Sequence, residues 1–438
     1  MRILAVNPWI VDFAAHDFWL KPYGFLTLLT GLRRAGHEVH YLDCTAAKIT
    51  RDPYGRGKFR SETVEKPGVL ANFPREFKRY GIAEQEFLRR LPASAPDIIL
   101  LTSSMTYWYP GVARAAELIK KRFPRVPLIL GGTYATLCRE HAKKNIPCDR
   151  VVPFQELTAF LNSLNLPAAP FSELPAYRKF YDSLDYLVFR TSWGCPFRCG
   201  YCAIGKLSPQ FFRLPVNRLV EYILAHARRG IRDFVIYDDA FLYGDRFVEN
   251  FLSRLIDSRM PLRIHTPNAL HLCFLNERTA ALMKTAGFIN PHFGLETLDP
   301  ALHTRWNDKV GRHDLSRALQ VLSRGGYRRG EFSVYMLLGY PGQDIDRFLT
   351  EAETLHEQGA KISLAEYSPV PGTAAAGDIP EIEKEPLLQN NSLLGASLPS
   401  GRTSSPHLED FWRAKNFVRR LNRTFGAKTP STRTDSLR

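Results

Sequence analysis

Short apolar runs alternate with segments of helical apolar spacing along the first 165 residues. The strand-like runs are RILAVNP, EVHYLDC, DIILLTSSM, PLILGG and DRVV, and the helix-like segments between them are GFLTLLTGLRRAGH, GVARAAELIKKRF and ATLCREHAKKN. Apolar residues that recur every three or four positions predict helices, and short continuous apolar runs predict buried strands. The alternation predicts an α/β domain over residues 1–165, in which helices cover both faces of a parallel sheet. A charged, irregular insertion interrupts it at about 45–96.

A second alternating series begins at Tyr186. Its strand-like runs are YLVFRTS, DFVIYDD, LRIHTPN, INPHFGLE, FSVYMLLGY and ISLAEYS, and its helix-like segments are VNRLVEYILAHARR, RFVENFLSRLIDSR, ERTAALMKTAG, HDLSRALQVLSRGG and DRFLTEAETLHEQG. Six strand–helix steps predict a partial (β/α)6 barrel of the TIM type over residues 186–375, with its chemistry at the carboxyl ends of the strands. A Pro/Ala-rich linker is predicted at 166–185. Residues 376–438 form a C-terminal extension whose basic tail we expect to be disordered. Within it, HLEDFWRAKNFVRRLNRTFG has helical spacing, with Phe411, Trp412, Phe417 and Leu421 as its expected packing face.

Composition limits the location and the partners of the chain. The 438 residues are 45% hydrophobic and 24% charged, with a formal charge of +15, as in an ordinary soluble globular protein. No apolar run is long enough to span a bilayer, and the N-terminus is typical of a first strand rather than a signal peptide. We therefore expect a cytoplasmic protein that does not bind membranes. Nucleic acid is not an expected partner, because no basic run is interleaved with aromatic residues.

Three of the seven cysteines are crowded into one stretch, FRTSWGCPFRCGYCAIGKL. Cys195, Cys199 and Cys202 have the spacing CxxxCxxC and follow directly after a predicted strand. Three thiolates can bind three irons of a cubane cluster and leave the fourth iron open. A catalytic zinc with three protein ligands is an alternative, and a disulfide would leave one cysteine over. The cluster is the favoured interpretation, because no second pair of cysteines is present to complete a structural zinc site.

With Tyr201 before its last cysteine, this loop resembles the CxxxCxΦC hallmark of the radical SAM superfamily. The resemblance implies an enzyme whose [4Fe–4S] cluster is held by Cys195, Cys199 and Cys202. The open iron would chelate S-adenosylmethionine (SAM), and an electron would cleave SAM to methionine and a 5′-deoxyadenosyl radical. It also implies a low-potential electron donor such as ferredoxin or flavodoxin, and a substrate that the sequence does not identify.

The family pattern extends to the ends of the next strands, where SAM is expected to bind. Asp238 and Asp239 match groups that hold the amino group of SAM, although only one of two adjacent strand residues can point inward. A helix N-cap or a turn is an equal alternative for each. Asn268, at the end of the third strand, is a weaker candidate. His265 and His271 are expected to be packed or surface histidines rather than ligands.

Three further positions match the family near the ribose and the adenine of SAM. Glu296 ends the fourth strand, where a polar residue commonly meets the ribose. Gly339 and Gly342 lie in LLGYPGQD at the end of the fifth strand. Glycine permits close approach of the backbone to the adenosine, but a tight strand-to-helix turn explains the same residues.

The segment PDIILLTSSMTYWYPGVARAAELIKKRFPRVPLILGGTYAT resembles the cobalamin-binding domain that often precedes such a barrel. The resemblance implies a flavodoxin-like (Rossmann-type) sheet. The positions that match residues lining the nucleotide tail of the corrin are Ser103, Ser104, Gly131 and Gly132.

The match has two departures. The DxHxxG motif that supplies a cobalt ligand in some relatives is absent, and His16 has neither its spacing nor its following glycine. The stretch from Pro153 to Glu156 replaces the usual Gly-Glu-Gly turn. A domain that keeps the fold but serves as a scaffold or a substrate lid is therefore the alternative to cobalamin binding.

These features predict a radical SAM enzyme that performs cobalamin-dependent methyl transfer to an unreactive carbon. One alternative is a radical SAM enzyme without cobalamin, catalysing a rearrangement, an oxidation or a methylthiolation. The other is a non-catalytic iron–sulfur protein in electron transfer or redox sensing. Electron carriers usually complete their cluster with a fourth cysteine, which is absent near this triad.

Overall fold

A computed structural model describes residues 1–165, 172–305, 312–340, 342–377, 380–393 and 408–425. Part of the predicted linker (166–171) and the predicted C-terminal tail beyond 425 lie outside the described residues. Within the described residues, no helix is both long enough and apolar enough to cross a membrane.

The first 165 residues contain ten strands and six α-helices. The strands are β1 Arg2–Asn7, β2 Ile10–Asp12, β3 His16–Asp17, β4 Glu38–Asp43, β5 Gly57–Lys58, β6 Ser61–Thr63, β7 Lys78–Tyr80, β8 Ile98–Leu101, β9 Leu128–Leu130 and β10 Arg150–Val151. The helices are α1 Tyr23–Arg34, α2 Glu84–Arg90, α3 Tyr109–Arg122, α4 Thr133–Leu137, α5 Arg139–Asn145 and α6 Leu157–Ser163.

Five of these strands form one parallel sheet in the order β10-β9-β8-β1-β4. Successive residues of β1 enter different cores: Leu4 and Val6 pack on one face of the sheet, and Ile3 and Ala5 on the other. This two-sided burial explains why the strand sequences are continuously apolar. The order of the strands reverses between β1 and β8, and ligands of such sheets bind at the carboxyl edge beside this point.

The second half continues the numbering. Its strands are β11 Leu187–Phe189, β12 Ser192–Trp193, β13 Phe212–Arg213, β14 Asp233–Ile236, β15 Arg263–His265, β16 Leu270–His271, β17 His292–Glu296, β18 Ser333–Leu338 and β19 Lys361–Glu366. Its helices are α7 Ile204–Leu207, α8 Val216–Ala227, α9 Asp245–Asp257, α10 Glu277–Thr285, α11 Pro300–Arg305, α12 Arg312–Arg324 and α13 Ile345–Glu357, followed in the C-terminal extension by α14 Pro380–Lys384 and α15 Leu408–Thr424.

The six predicted barrel strands are all present and pair in parallel. Together with the short strand β16, which was not predicted, they form two arcs, β11-β14-β15 and β16-β17-β18-β19. A single bridge from Ile264 to Phe288 links β15 to the chain just before β17. The predicted α/β sheet followed by a partial barrel is thus confirmed. The carboxyl ends of the barrel strands lie at one edge, which places the loops that follow them together.

Local departures from the predicted pattern occur where turns or tertiary contacts intervene. The predicted helix around Cys138 is broken there into α4 and α5. The insertion at 45–96 is not wholly irregular, since β7 pairs with both β2 and β6 in an antiparallel sheet and α2 follows. These contacts join residues that are far apart in the sequence, so local periodicity does not predict them.

Ionic and aromatic contacts join the two halves of the chain. The Lys48 ammonium lies 2.9 Å from Asp17 and 2.8 Å from Asp185, and the Tyr186 hydroxyl donates to Asp17 over 2.8 Å. Trp19 and Tyr23 from the first half belong to the same hydrophobic core as the barrel strands. The two predicted domains therefore share a core.

Helix α15 covers the outer edge of β19. The side-chain amide of Asn422 accepts from the Ile362 nitrogen over 2.9 Å and donates to the Ile362 oxygen over 2.8 Å, so it satisfies backbone groups that an edge strand would otherwise expose. Phe411 is buried in this contact as its spacing predicts. Trp412, predicted to pack beside it, is instead 48% exposed.

We expect Asn422→Leu to destabilise the protein by about 1–3 kcal/mol, because two backbone groups of β19 lose their partners. Denaturant unfolding followed by tryptophan fluorescence measures the loss, and hydrogen exchange of the Ile362 amide should accelerate. The matched control is Asn416→Leu, on the exposed side of the same helix, where the change should stay within about 0.5 kcal/mol. Equal stability of the two variants would contradict the role of Asn422.

Candidate functional site

The three clustered cysteines lie on the loop between β12 and α7. None of the seven cysteines, all of which lie within the described residues, is in a disulfide, so the disulfide alternative is not realised; Cys195 and Cys199 are half-buried and Cys202 is exposed. Among the described residues, no three His, Cys, Asp or Glu side chains gather closely enough to hold one metal ion. Three thiols presented by one short loop are the donor set that an iron–sulfur cluster requires.

Two adjacent carboxylates at the end of β14 hold the strand that leads into this loop. Asp238, 3% exposed, accepts hydrogen bonds from the Thr191 nitrogen at 2.7 Å and from the hydroxyls of Thr191 and Ser192. Asp239 pairs with Arg190 at 2.8 Å and accepts from the Gly194 nitrogen at 3.1 Å. Burial raises the pKa of Asp238 against the lowering effect of its hydrogen bonds. Both carboxylates therefore brace the approach to Cys195, and a direct contact of either with SAM remains a prediction.

Asn268 lies beside the same strand end. Its side-chain nitrogen donates to the backbone oxygens of Tyr237 at 3.0 Å and of Asp238 at 3.3 Å. This amide ties the loop after β15 to the end of β14. The structure thus brings Asn268 together with the aspartate pair, and a contact of Asn268 with SAM remains a prediction.

Glu296 is held in an unusual conformation at the end of β17. Its φ of +70° lies in the left-handed region, and the register of β17 against β18 shifts between Gly294 and Glu296. The Tyr201 hydroxyl donates to its carboxylate over 3.1 Å, and burial, followed by the charge of Glu296, raises the pKa of Tyr201. A strained, buried carboxylate tied to the cysteine loop is the kind of outlier found at functional sites.

The glycine turn after β18 has the positive dihedrals that its sequence predicts. Gly339 has a φ of +97° and Gly342 a φ of +78°. The Gly339 nitrogen donates to the Gln343 side chain over 2.6 Å, and Gln343 donates back to the Leu337 oxygen over 2.9 Å. This network accounts for a tight strand-to-helix turn, and the proposed contact with adenosine remains a prediction.

A cavity of about 290 Å³ opens at the carboxyl edge of the first sheet, at the point between β1 and β8 where the strand order reverses. All four residues predicted to line a cobalamin tail border it: Ser103, Ser104, Gly131 and Gly132. Its inner wall is apolar and is formed by sheet residues such as Ile3 and Leu100, together with Phe160 of α6. An apolar pocket with a few polar groups at its mouth is the common form of a cofactor site.

The four mouth residues play different parts. A β-carbon on Gly132 would lie 2.2 Å from the Ser103 oxygen, whereas one on Gly131 would only touch the Val152 oxygen at 3.7 Å. The Ser103 hydroxyl donates to the Gly131 oxygen over 2.6 Å. Ser103 and Gly132 therefore form the turn itself, while Gly131 leaves room in the cavity. His16 does not border the cavity.

The cavity extends toward the barrel. Tyr237, which directly precedes the aspartate pair, belongs to its wall, as does Lys21. The Tyr237 hydroxyl donates to the backbone oxygen of Trp19, a buried residue with a φ of +67°. The Lys21 ammonium lies 3.9 Å from the centre of the Tyr181 ring, and burial lowers its pKa. Tyr237 thus belongs both to the wall of the cavity and to the segment at the end of β14 that carries the aspartate pair.

The sequence did not single out several residues that the structure places here. Arg190 and Thr191 lie in the same stretch as the cysteines, and the pairing of Arg190 with an aspartate could have been suspected from charge alone. Trp19, Lys21 and Tyr237 carry no local signal, because they reach the site only through contacts across more than one hundred residues.

The comparison with protein families matches residues 190–355 to the radical SAM superfamily, whose members use a [4Fe–4S] cluster and SAM. An uncharacterized methyltransferase of Pyrococcus horikoshii is 22% identical over 321 residues, which cover 64% of this chain and 68% of that protein. The ribosomal protein uS12 methylthiotransferase RimO of a Synechococcus species is 25% identical over 222 residues, which cover 47% of this chain. The chain spans 43% of the length of that RimO.

Among solved structures, the radical S-adenosylmethionine methyltransferase TsrM from Kitasatospora setae aligns with a TM-score of 0.63 and 17% identity, over 87% of this chain and 76% of that one. TsrM has also been determined with cobalamin and a [4Fe–4S] cluster bound. At this identity the likeness establishes a shared fold. The chain therefore has the fold of TsrM and carries, at residues 190–355, a domain of the radical SAM superfamily.

Proposed function

We propose that this protein is a radical SAM methyltransferase that holds its cluster on Cys195, Cys199 and Cys202 and binds cobalamin in the cavity of its first domain. The observation that carries the proposal is the shared wall: Tyr237 borders the cavity, and its neighbours Asp238 and Asp239 brace the cysteine loop. A methyl carrier in the cavity would therefore lie beside the place where a radical is generated.

The cluster, when bound, supplies the electron that cleaves SAM, and cobalamin supplies the transferable methyl group. The residues of the chain orient these groups and exclude water. Glu296, fixed by the Tyr201 hydroxyl, is positioned to accept hydrogen bonds from ribose hydroxyls. Asp238 and Asp239 hold the entry to the cysteine loop, and the turn at Gly339 allows an adenosine to approach the backbone.

Methylthio transfer, the activity in the name of the RimO relative, is the second candidate. The proposal favours methyl transfer for two reasons. The cavity has the apolar depth expected for a corrin tail. The remaining four cysteines are scattered along the chain and offer no second triad for an additional cluster: Cys44, Cys138, Cys148 and Cys273. A ferredoxin or flavodoxin as electron donor and a cytoplasmic location complete the proposal.

Replacement of any one cysteine of the triad by alanine should abolish cluster binding and lower 5′-deoxyadenosine formation at least 100-fold, because the cluster loses a ligand. Iron content and chromatography after anaerobic reconstitution, with SAM and dithionite, measure the two effects. Cys148→Ala is the matched control, since this half-buried cysteine lies in the first domain. A wild type that binds a cluster but leaves SAM intact would favour the electron-transfer or sensor alternative.

Gly131→Leu should lower the affinity for hydroxocobalamin at least tenfold, because the new side chain occupies the cavity while its β-carbon meets the Val152 oxygen at an ordinary 3.7 Å. Titration followed by absorbance measures binding. Gly68→Leu is the control, since a β-carbon there meets nothing within 4 Å and Gly68 does not border the cavity. Unchanged affinity in a folded Gly131→Leu protein would support the scaffold alternative.

Tyr201→Phe should raise the KM for SAM several-fold while leaving the iron content unchanged, because Glu296 loses the hydroxyl that orients it. Tyr243→Phe, at a 38% exposed tyrosine, serves as the control and should behave as wild type. The proposed ribose contact would be wrong if both variants kept the wild-type KM.

A further inference from the structure

A buried histidine lies against one of the three clustered cysteines. The Nε2 atom of His271 is 3.7 Å from the Sγ atom of Cys195, within hydrogen-bonding distance for a sulfur acceptor. His271 is 5% exposed. The sequence gives no hint of this contact, because 76 positions separate the two residues.

The imidazole ring is fixed by its neighbours. It stacks on Phe197, with ring centres 5.1 Å apart and an angle of 19° between the planes. The centre of the Phe274 ring lies 5.9 Å from the centre of the imidazole. Phe197 is itself part of the cysteine loop, between Cys195 and Cys199. The backbone of His271 is held by the parallel pairing of β16 with β17, opposite Gly294. Neither the ring nor its strand can move away from Cys195 without breaking these contacts.

From this geometry we infer that His271 is a positioning residue that donates a hydrogen bond from Nε2 to the Cys195 sulfur and thereby raises the reduction potential of the cluster. The inference rests on the cluster of the proposed function. Hydrogen bonds to cluster sulfurs stabilise the more negative, reduced state and are one of the factors that set the potential. His271 can donate this hydrogen bond only in the tautomer that carries its proton on Nε2. The Cys195 sulfur, as an acceptor, favours that tautomer.

The test is a mediated potentiometric titration of the reconstituted protein, with the reduced cluster counted by electron paramagnetic resonance and no SAM present. His271→Phe keeps a ring between Phe197 and Phe274 but removes the donor. At a fixed potential we expect its ratio of reduced to oxidised cluster to fall about tenfold, which corresponds to about 59 mV for a one-electron couple. His226→Phe is the matched control, since His226 is a buried histidine of α8 that packs on Tyr222.

A His271→Phe protein that binds a full cluster at the wild-type potential overturns the inference, while leaving the proposed function intact. Failure of the wild type to bind a cluster overturns the proposed function instead. If the His271→Phe variant binds no cluster, a second experiment on wild-type protein labelled with ¹⁵N-histidine tests the inference. Pulsed electron paramagnetic resonance of its reduced cluster should detect a histidine nitrogen, and the absence of that coupling overturns the inference.

Discussion

The structure depends on the way two neighbouring carboxylates at the end of β14 hold the strand before the cysteine loop. Both lie just beyond the end of β14; Asp238 binds the Thr191 and Ser192 groups, and Asp239 binds Arg190 and the Gly194 nitrogen. The two side chains therefore hold the same short segment, residues 190–194, through hydrogen bonds and one ion pair. The cysteine loop follows this segment directly along the chain, so the position of the segment determines where the loop begins.

Much of this architecture could be predicted from the sequence because it follows from local patterns. Continuous apolar strands separated by amphipathic helices determine parallel pairing with little ambiguity, and the cysteine spacing identifies its own chemistry. The glycine turns, such as the one at Gly339, were also predictable, because a positive φ strongly favours that residue type. The same holds for the small residues at the mouth of the cavity.

What could not be predicted depends on side-chain direction and on distant contacts. The sequence offered the aspartates as SAM ligands or as caps, and only the fold reveals that both face the preceding strand. His271 was expected to be a packed or surface residue, and its packing turns out to be against the cysteine loop itself. Trp412 fits the apolar face of a helix by its spacing, yet it is exposed. The buried face of α15 consists of Phe411, as predicted, together with Ala414 and Val418.

The open side of the barrel has a further consequence for how the chain avoids association. The arc β16-β17-β18-β19 ends in β19, and the free backbone groups of such an end strand could template the addition of a strand from another molecule. Asn422 presents one amide oxygen and one amide nitrogen to Ile362, the same acceptor and donor pair that the backbone of an added strand would offer. The Asn422 side chain thus occupies the backbone groups of Ile362 that an added strand would use. This part of the β19 edge is therefore not available for pairing with another molecule.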